Sequence, residues 1–249
     1  MSFADHFSAV ARGYAGFRPN YPFALFEWLA RQAPARDLAW DCATGSGQAA
    51  VDLARCFRRV VATDASGAQI GAALPQARIE YCVATAEDSG LGAASVDLIV
   101  VAQALHWFDL ARFNAEAQRV LKRSGVIAEW CYGLTTVDGA AVDELVQHYY
   151  SVVVGPYWPA ERSHIESGYR ELPFPFAPIA APAFTMEVDW TLAQLAGYLR
   201  TWSATARFAA AQGRDPVEAL EVGLAGCWGP PGERRRVSWP LSLRVGRAA

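Results

Sequence analysis

Three side chains stand where chemistry is easy to build: Asp41, Asp64 and His106. Asp41 ends a mostly apolar stretch, and Ala43, Thr44, Gly45, Ser46 and Gly47 follow it. Side chains that small let a ligand reach the backbone, and the amides that open a following helix are free to bind it. Asp64 closes the next apolar run, RVVATD, where a carboxylate can accept two sugar hydroxyls as a charge-assisted pair. His106 and Trp107 follow a fourth apolar run. A neutral imidazole there could take a proton from a hydroxyl or nitrogen nucleophile, and an aromatic face beside it favours a cation. The pattern suits a loop that holds a nucleotide-like molecule, with proton-transfer chemistry beside it.

These residues need a scaffold, and the chain supplies one by alternating strand and helix. Strands are expected at Leu38–Asp41, Arg59–Asp64, Arg78–Val83, Val96–Val101 and Val126–Cys131, and Arg59–Asp64, an apolar run closed by an acid, has the pattern of a strand buried on both faces. Helices are expected at Gln48–Phe57 and Ser66–Ala73, and after Asp109, which can cap a run carrying Leu110, Phe113, Ala117, Val120 and Leu121. Lys122, Arg123 and Gly125 read as the end of that helix. Repeated β-α-β units imply a parallel sheet with helices on both faces and ligands at the carboxyl ends of its strands.

Outside this core the rhythm changes. Residues 1–36 read as a helical flap, with Pro22 at a helix start and the segment from Tyr14 through Arg18 to Tyr21 placed to fold over a cofactor. Residues 133–182 are rich in aromatics and prolines and lack a clean strand, apart from a helix near Gly139–Val153, and are expected to cap the site. In residues 183–249 a strand (183–190), a helix capped by Thr191, a helix from Pro216 to Leu224 and a last strand (Arg235–Val245) complete an expected seven-stranded sheet. The core between flap and cap is 37–132, and all four parts are read as one domain.

Composition bounds the function. Of 249 residues 53% are hydrophobic and 19% charged, which fits an ordered globular chain. A net charge of −3 argues against a nucleic-acid partner. No run approaches the roughly 20 apolar residues of a membrane span, and there is no signal-peptide pattern at the N-terminus. The five cysteines lack paired spacing, which excludes a zinc motif and fits reduced thiols in a cytoplasmic protein. No metal is expected, and a monomer or homodimer is.

The loop alone fits two cofactors. Gly45-Ser46-Gly47-Gln48-Ala49-Ala50 satisfies G-x-G-x-x-A, and Asp64 falls where a dinucleotide fold keeps its ribose acid, so a nicotinamide-dependent oxidoreductase is one reading. Asp41 points elsewhere. An acid at that strand end suits a cation better than a pyrophosphate.

With Asp41, the loop, Asp64, the segment Thr85-Ala86-Glu87-Asp88 and the stretch Gln103…His106-Trp107 taken together, the chain resembles the class I S-adenosylmethionine-dependent methyltransferases. Trp190–Ala204 and the closing RVSWPLSLRVGR are similar to a subgroup that includes trans-aconitate methyltransferase-like enzymes. The resemblance implies a doubly wound α/β sheet of the Rossmann-like methyltransferase fold. It also implies S-adenosylmethionine as cofactor and a small-molecule acceptor, a carboxylic acid among the candidates. Cofactor contacts would come from Asp41, Ala43, Gly45, Gly47, Asp64, Ala65, Ala86, Glu87 and Gln103, with Tyr14 and Arg18 from the flap. His106 and Trp107 would stand beside the transferred methyl group, with His106 as base or as a loop-orienting residue. Two departures stand out. Ala43 replaces the first glycine of the family loop, and Thr85 stands where an Asp is common. A cofactor-binding protein without catalysis is the remaining reading.

Overall fold

The structure, a computed structural model, describes residues 19–230 and 232–248. Five parallel strands form its centre: β1 (Leu38–Cys42), β2 (Arg59–Asp64), β3 (Ile79–Val83), β4 (Val96–Ala102) and β5 (Leu121–Cys131). In sequence they are followed by β6 (Thr136–Val137), β7 (Ala177–Ile179), β8 (Thr185–Trp190), β9 (Arg235–Pro240) and β10 (Ser242–Arg247). The main sheet has seven strands in the order β3-β2-β1-β4-β5-β10-β7, and β10 runs antiparallel to both its neighbours. Strand order reverses between β1 and β4, which opens a crevice at their carboxyl ends. The seven-stranded doubly wound α/β fold expected from the sequence is the fold observed.

Side-chain alternation builds a core on each face. Ala39, Leu98, Val100, Val126, Ala128 and Trp130 pack with helices α1 (Phe23–Gln32) and α2 (Gln48–Cys56). Trp40, Cys42, Ile99, Val101, Ile127 and Cys131 pack on the opposite face with Phe113, Ala117 and Val120 of a later helix. Burying one such side chain is worth about 1.5–3 kcal/mol, whereas strand propensities span about 1 kcal/mol. Burial on both faces therefore fixes these runs as central strands. The remaining helices are α3 (Gly67–Ala72), α4 (Leu110–Val120), α5 (Ala140–His148), α6 (Arg162–Glu166), α7 (Leu192–Arg200), α8 (Ser203–Gln212) and α9 (Pro216–Trp228). Asp109 caps α4, and Thr191 closes a capping box on α7, both as expected.

Four expectations need correction. Helix α4 ends at Val120, and Lys122 belongs to β5. Lys122 Nζ pairs at 2.8 Å with the fully buried Asp97, whose other oxygen accepts the amides of Asp37 and Leu38. The ladder shifts register between Val96 and Leu98, and Ser124 takes a positive φ of 61°, so the basic turn lies within the strand. Second, Arg235–Val245 is not one strand. Pro240 ends β9 and the chain crosses to β10 in the main sheet, a change of partners that an uninterrupted pattern hides.

Third, residues 183–190 supply β8 of a separate three-stranded sheet, β6-β9-β8. Fourth, the seventh strand of the main sheet is β7, inside the stretch read as lacking strands. It is three residues long, lies on an edge and contains Pro178, which is tolerated there. Helix α8 was also not anticipated. The helix expected at Gly139–Val153 is α5 continued by one widened π turn, Tyr149–Val153.

Candidate functional site

Asp41 is 1% exposed at the end of β1, and the Thr44 hydroxyl donates to its Oδ2 at 2.5 Å. Burial pushes its carboxyl up to about 7, against the pull of the Thr44 hydrogen bond, and the nearby charge of Asp64 adds to the rise. Such an acid gains most from a cationic partner.

Beyond Asp41 the backbone enters the left-handed region three times, at Ala43 (φ 55°), Gly45 (φ 58°) and Gly47 (φ 93°). At Gly47 a side chain is barred twice, by φ and by the Tyr81 hydroxyl, which a Cβ would overlap. At Gly45 an added Cβ would meet nothing nearer than Gln69 Oε1 at 3.9 Å, so the loop opens onto free space there. The Tyr81 hydroxyl is buried without a hydrogen-bond partner.

Ala43 places its methyl against the core on the α4 side. The departure from the family glycine is therefore accommodated by the protein's own packing. A left-handed alanine costs about 1–2 kcal/mol, while glycine forfeits about 0.5–1 kcal/mol in chain entropy together with the methyl's packing. Ala43→Gly is expected to leave stability within about 1 kcal/mol in urea denaturation. Ala43→Val, β-branched at that φ, should cost about 2 kcal/mol.

Asp64 ends β2 beside this loop. Its Oδ2 accepts the Gly45 amide at 2.9 Å and its Oδ1 the Ser66 amide at 2.8 Å, which fixes the carboxylate across the mouth of the loop. Ala65 follows, half-buried, before Ser66 caps α3. After β3, Ala86 is buried, and Glu87 Oε1 accepts the Asp109 amide at 2.9 Å, which ties this segment to the start of α4. Thr85 is exposed and bridges to Asp88.

Gln103, with a positive φ of 58°, follows β4. Its amide nitrogen donates to the Tyr132 carbonyl at 2.9 Å and its oxygen accepts the Tyr132 amide at 3.3 Å, so the side chain clamps the carboxyl ends of β4 and β5 together. His106 sits on the one-turn segment Leu105–Trp107, its ring 4.7 Å from that of Trp107, which is 38% exposed. His106 Nδ1 shares a 2.9 Å hydrogen bond with the hydroxyl of Tyr169, a fully buried residue from the cap that no sequence pattern singled out. Burial, with the nearby charges of Arg162 and His164 adding to it, lowers the His106 pKa to about 4.

Tyr169 is held in turn by Arg244, which donates to its carbonyl at 2.7 Å and to the buried Glu129 at 2.6 Å. Helix α6 meets β5 where Cys131 Sγ contacts the Ile165 carbonyl at 3.7 Å. Among the residues expected at the site, Asp41, the loop and Asp64 thus form one cluster, and Gln103, His106 and Trp107 line the neighbouring strand end. Tyr14 and Arg18 lie outside the described residues. Gln48, at the start of α2, donates to the Pro19 carbonyl at 2.6 Å. Tyr21 then packs on Trp130 and Tyr132. Among the described residues no group of three His, Cys, Asp or Glu is placed to hold a metal, and no helix is long and apolar enough to cross a membrane.

Residues 40–128 match the model of a family described as "Methyltransferase domain". A methyltransferase-family protein of Dictyostelium discoideum is 35% identical over 227 residues, covering 89% of this chain and 86% of the relative. A methyltransferase-family protein of Mycobacterium tuberculosis is 38% identical over 128 residues, about half of each chain. Among solved structures, that of a type II methyltransferase-family protein from Anaeromyxobacter dehalogenans is 49% identical with a TM-score of 0.89, covering 93% of this chain and 98% of that one.

Proposed function

The chain belongs to the class I S-adenosylmethionine-dependent methyltransferases, and from that premise we propose that it methylates a small molecule, with a carboxylic acid as the acceptor class. One observation carries the cofactor half of this reading: the Asp64 carboxylate is fixed beside the open cradle at Gly45. The residues present fit the cofactor. Asp64 would accept the two ribose hydroxyls, the loop amides would take the methionyl carboxylate, and Asp41 would face the cationic end. Ala65, Ala86 and Glu87 would flank the base, and Gln103 would hold the strand ends in register. Bound there, S-adenosylmethionine supplies an electrophilic methyl group on a sulfonium for in-line transfer to an acceptor.

The state of His106 bears on the acceptor. An imidazole with a pKa of about 4 is neutral at pH 7 but a weak base. Relative to an ordinary histidine at about 6.5, it forgoes about 3 kcal/mol of proton affinity. Proton removal from an alcohol or ammonium is poorly served by such a group, whereas a carboxylate arrives already ionised and needs no base. His106 then orients the acceptor, with its ring fixed by Tyr169, and Trp107 supplies an aromatic wall. The cap from 133 to 182 would exclude water. The similarity of Trp190–Ala204 to trans-aconitate methyltransferase-like enzymes supports an acid acceptor.

Calorimetry is expected to show S-adenosylhomocysteine binding with micromolar affinity and no heat with NADH. Labelled methyl transfer should follow when small acids, phenols and amines are screened, with product among the acids. Heat with NADH but not with S-adenosylhomocysteine would refute the cofactor assignment. Cofactor binding without transfer to any acceptor class would favour a non-catalytic protein.

A further inference from the structure

Helix α6 brings to the carboxyl ends of β4 and β5 a cation that no acid neutralises directly. Arg162 Nε donates to the Tyr150 hydroxyl at 2.9 Å, and that hydroxyl donates onward to Glu166 at 2.6 Å. The guanidinium lies 4.5 Å from the centroid of the Trp158 ring and 5.4 Å from that of Tyr150. Among the described residues no carboxylate pairs with Arg162, and its two terminal nitrogens donate to no protein acceptor. Arg200 and Arg244 are used differently: Arg200 holds both Asp215 and Glu221, and Arg244 holds Glu129 with three carbonyls.

Its placement is set by its neighbours on the helix. Ile165, one turn on, rests on Cys131 at the end of β5, and Tyr169 beyond it reaches His106. The Arg162 charge is felt at both contacts. It helps hold His106 neutral, and it opposes the burial that pushes the Cys131 thiol up to about 12. The Nε hydrogen bond to Tyr150 and the Trp158 ring hold the guanidinium in place, which leaves its two terminal nitrogens as a fork that needs little ordering to receive a planar anion.

We propose that Arg162 is the specificity-determining residue of the acceptor site, its two terminal N–H groups taking a carboxylate of the acceptor as a bidentate pair beside His106. This rests on the methyltransferase reading above and adds the residue that selects an acid.

The test titrates the S-adenosylhomocysteine-loaded protein with citrate, succinate and benzoate, and with succinamide and benzamide as neutral counterparts, by calorimetry. At least one acid is expected to bind, more tightly than any amide. Arg162→Gln should weaken that acid by about 10- to 100-fold, the worth of a charge-assisted pair, with Tm and S-adenosylhomocysteine affinity unchanged. Should Arg162→Gln lower the Tm, Arg162→Lys carries the test: it keeps the charge, loses the fork and should weaken the acid about tenfold. The proposal is overturned if no acid binds the loaded wild-type protein, or if the acid binds the variant as tightly as the wild type. Failure of the methyltransferase reading is a separate result, since the wild-type protein would then not bind S-adenosylhomocysteine at all.

Discussion

Asp64→Ala should lower affinity for S-adenosylhomocysteine by at least about 100-fold, to the point where calorimetry registers no heat. Both oxygens of Asp64 are anchored by backbone amides, Gly45 at 2.9 Å and Ser66 at 2.8 Å, so the carboxylate stands ready without further ordering. Each oxygen keeps a lone pair for one ribose hydroxyl. Two charge-assisted bonds at about 1.5–3 kcal/mol each correspond to a factor of about 10² to 10⁴ in affinity. Removing the carboxylate also frees the Gly45 amide and slackens the loop. Asp64→Asn keeps one accepting oxygen and should fall between the two. Asp64→Ala also loses the bonds to the Gly45 and Ser66 amides, so its melting temperature should fall by about 2–8 °C while the fold is kept. An Asp64→Ala protein that still bound S-adenosylhomocysteine within tenfold of wild type would remove Asp64 from the cofactor site.

Why Asp64 could be found from sequence, and Tyr169 could not, has a physical answer. The central strands bury both faces, which leaves apolar runs such as RVVATD, and the acid that closes it, Asp64, is conspicuous. The loop shows itself through backbone geometry, because left-handed positions select Gly45 and Gly47 and leave room only for a residue as small as Ala43 before them. Such constraints are local, so they leave a local trace. The cap acts through distance. Tyr169 meets His106 across 63 residues, at a positive φ of 62° that a tyrosine rarely adopts, and nothing in its neighbourhood marks it. Arg162 is similarly mute, because an unpaired cation and a solvated one look alike in a sequence. Thr44 was visible only as a small residue, although its hydroxyl is the direct partner of Asp41. The sheet's far edge was misread for a related reason. A strand of three residues carrying a proline gives no periodicity, and the alternation of Arg235–Val245 runs on while the chain changes sheets.

Arg244→Met should destabilise the protein strongly, and by an amount that depends on pH. Glu129 is fully buried on β5, with one oxygen held by Arg244 at 2.6 Å and the other unpartnered. Burial raises its carboxyl from the usual 4.5 to about 7, while the charge and hydrogen bond of Arg244 act to lower it. A folded-state pKa above the unfolded value means that folding takes up a proton. The stability this group contributes is complete below about pH 4.5 and is lost as pH rises through 7. Without Arg244 the folded value climbs further, so the added cost falls on the alkaline side, where Glu129 must stay buried as an unpaired anion or hold a proton against the solution. At pH 8 the loss should be about 3–5 kcal/mol, the cost of orphaning a buried charge. At pH 5, where Glu129 is protonated in the fold, only the contacts to Tyr169, Leu172 and Pro173 are lost, at about 1–2 kcal/mol. Urea denaturation at both pH values measures the difference, and Glu129→Gln in the same chain should remove most of the pH dependence. Equal losses at pH 5 and pH 8 would assign the effect to the carbonyl contacts alone. Because those contacts also hold Tyr169 against His106, the variant should loosen the cap over the site even where the fold survives.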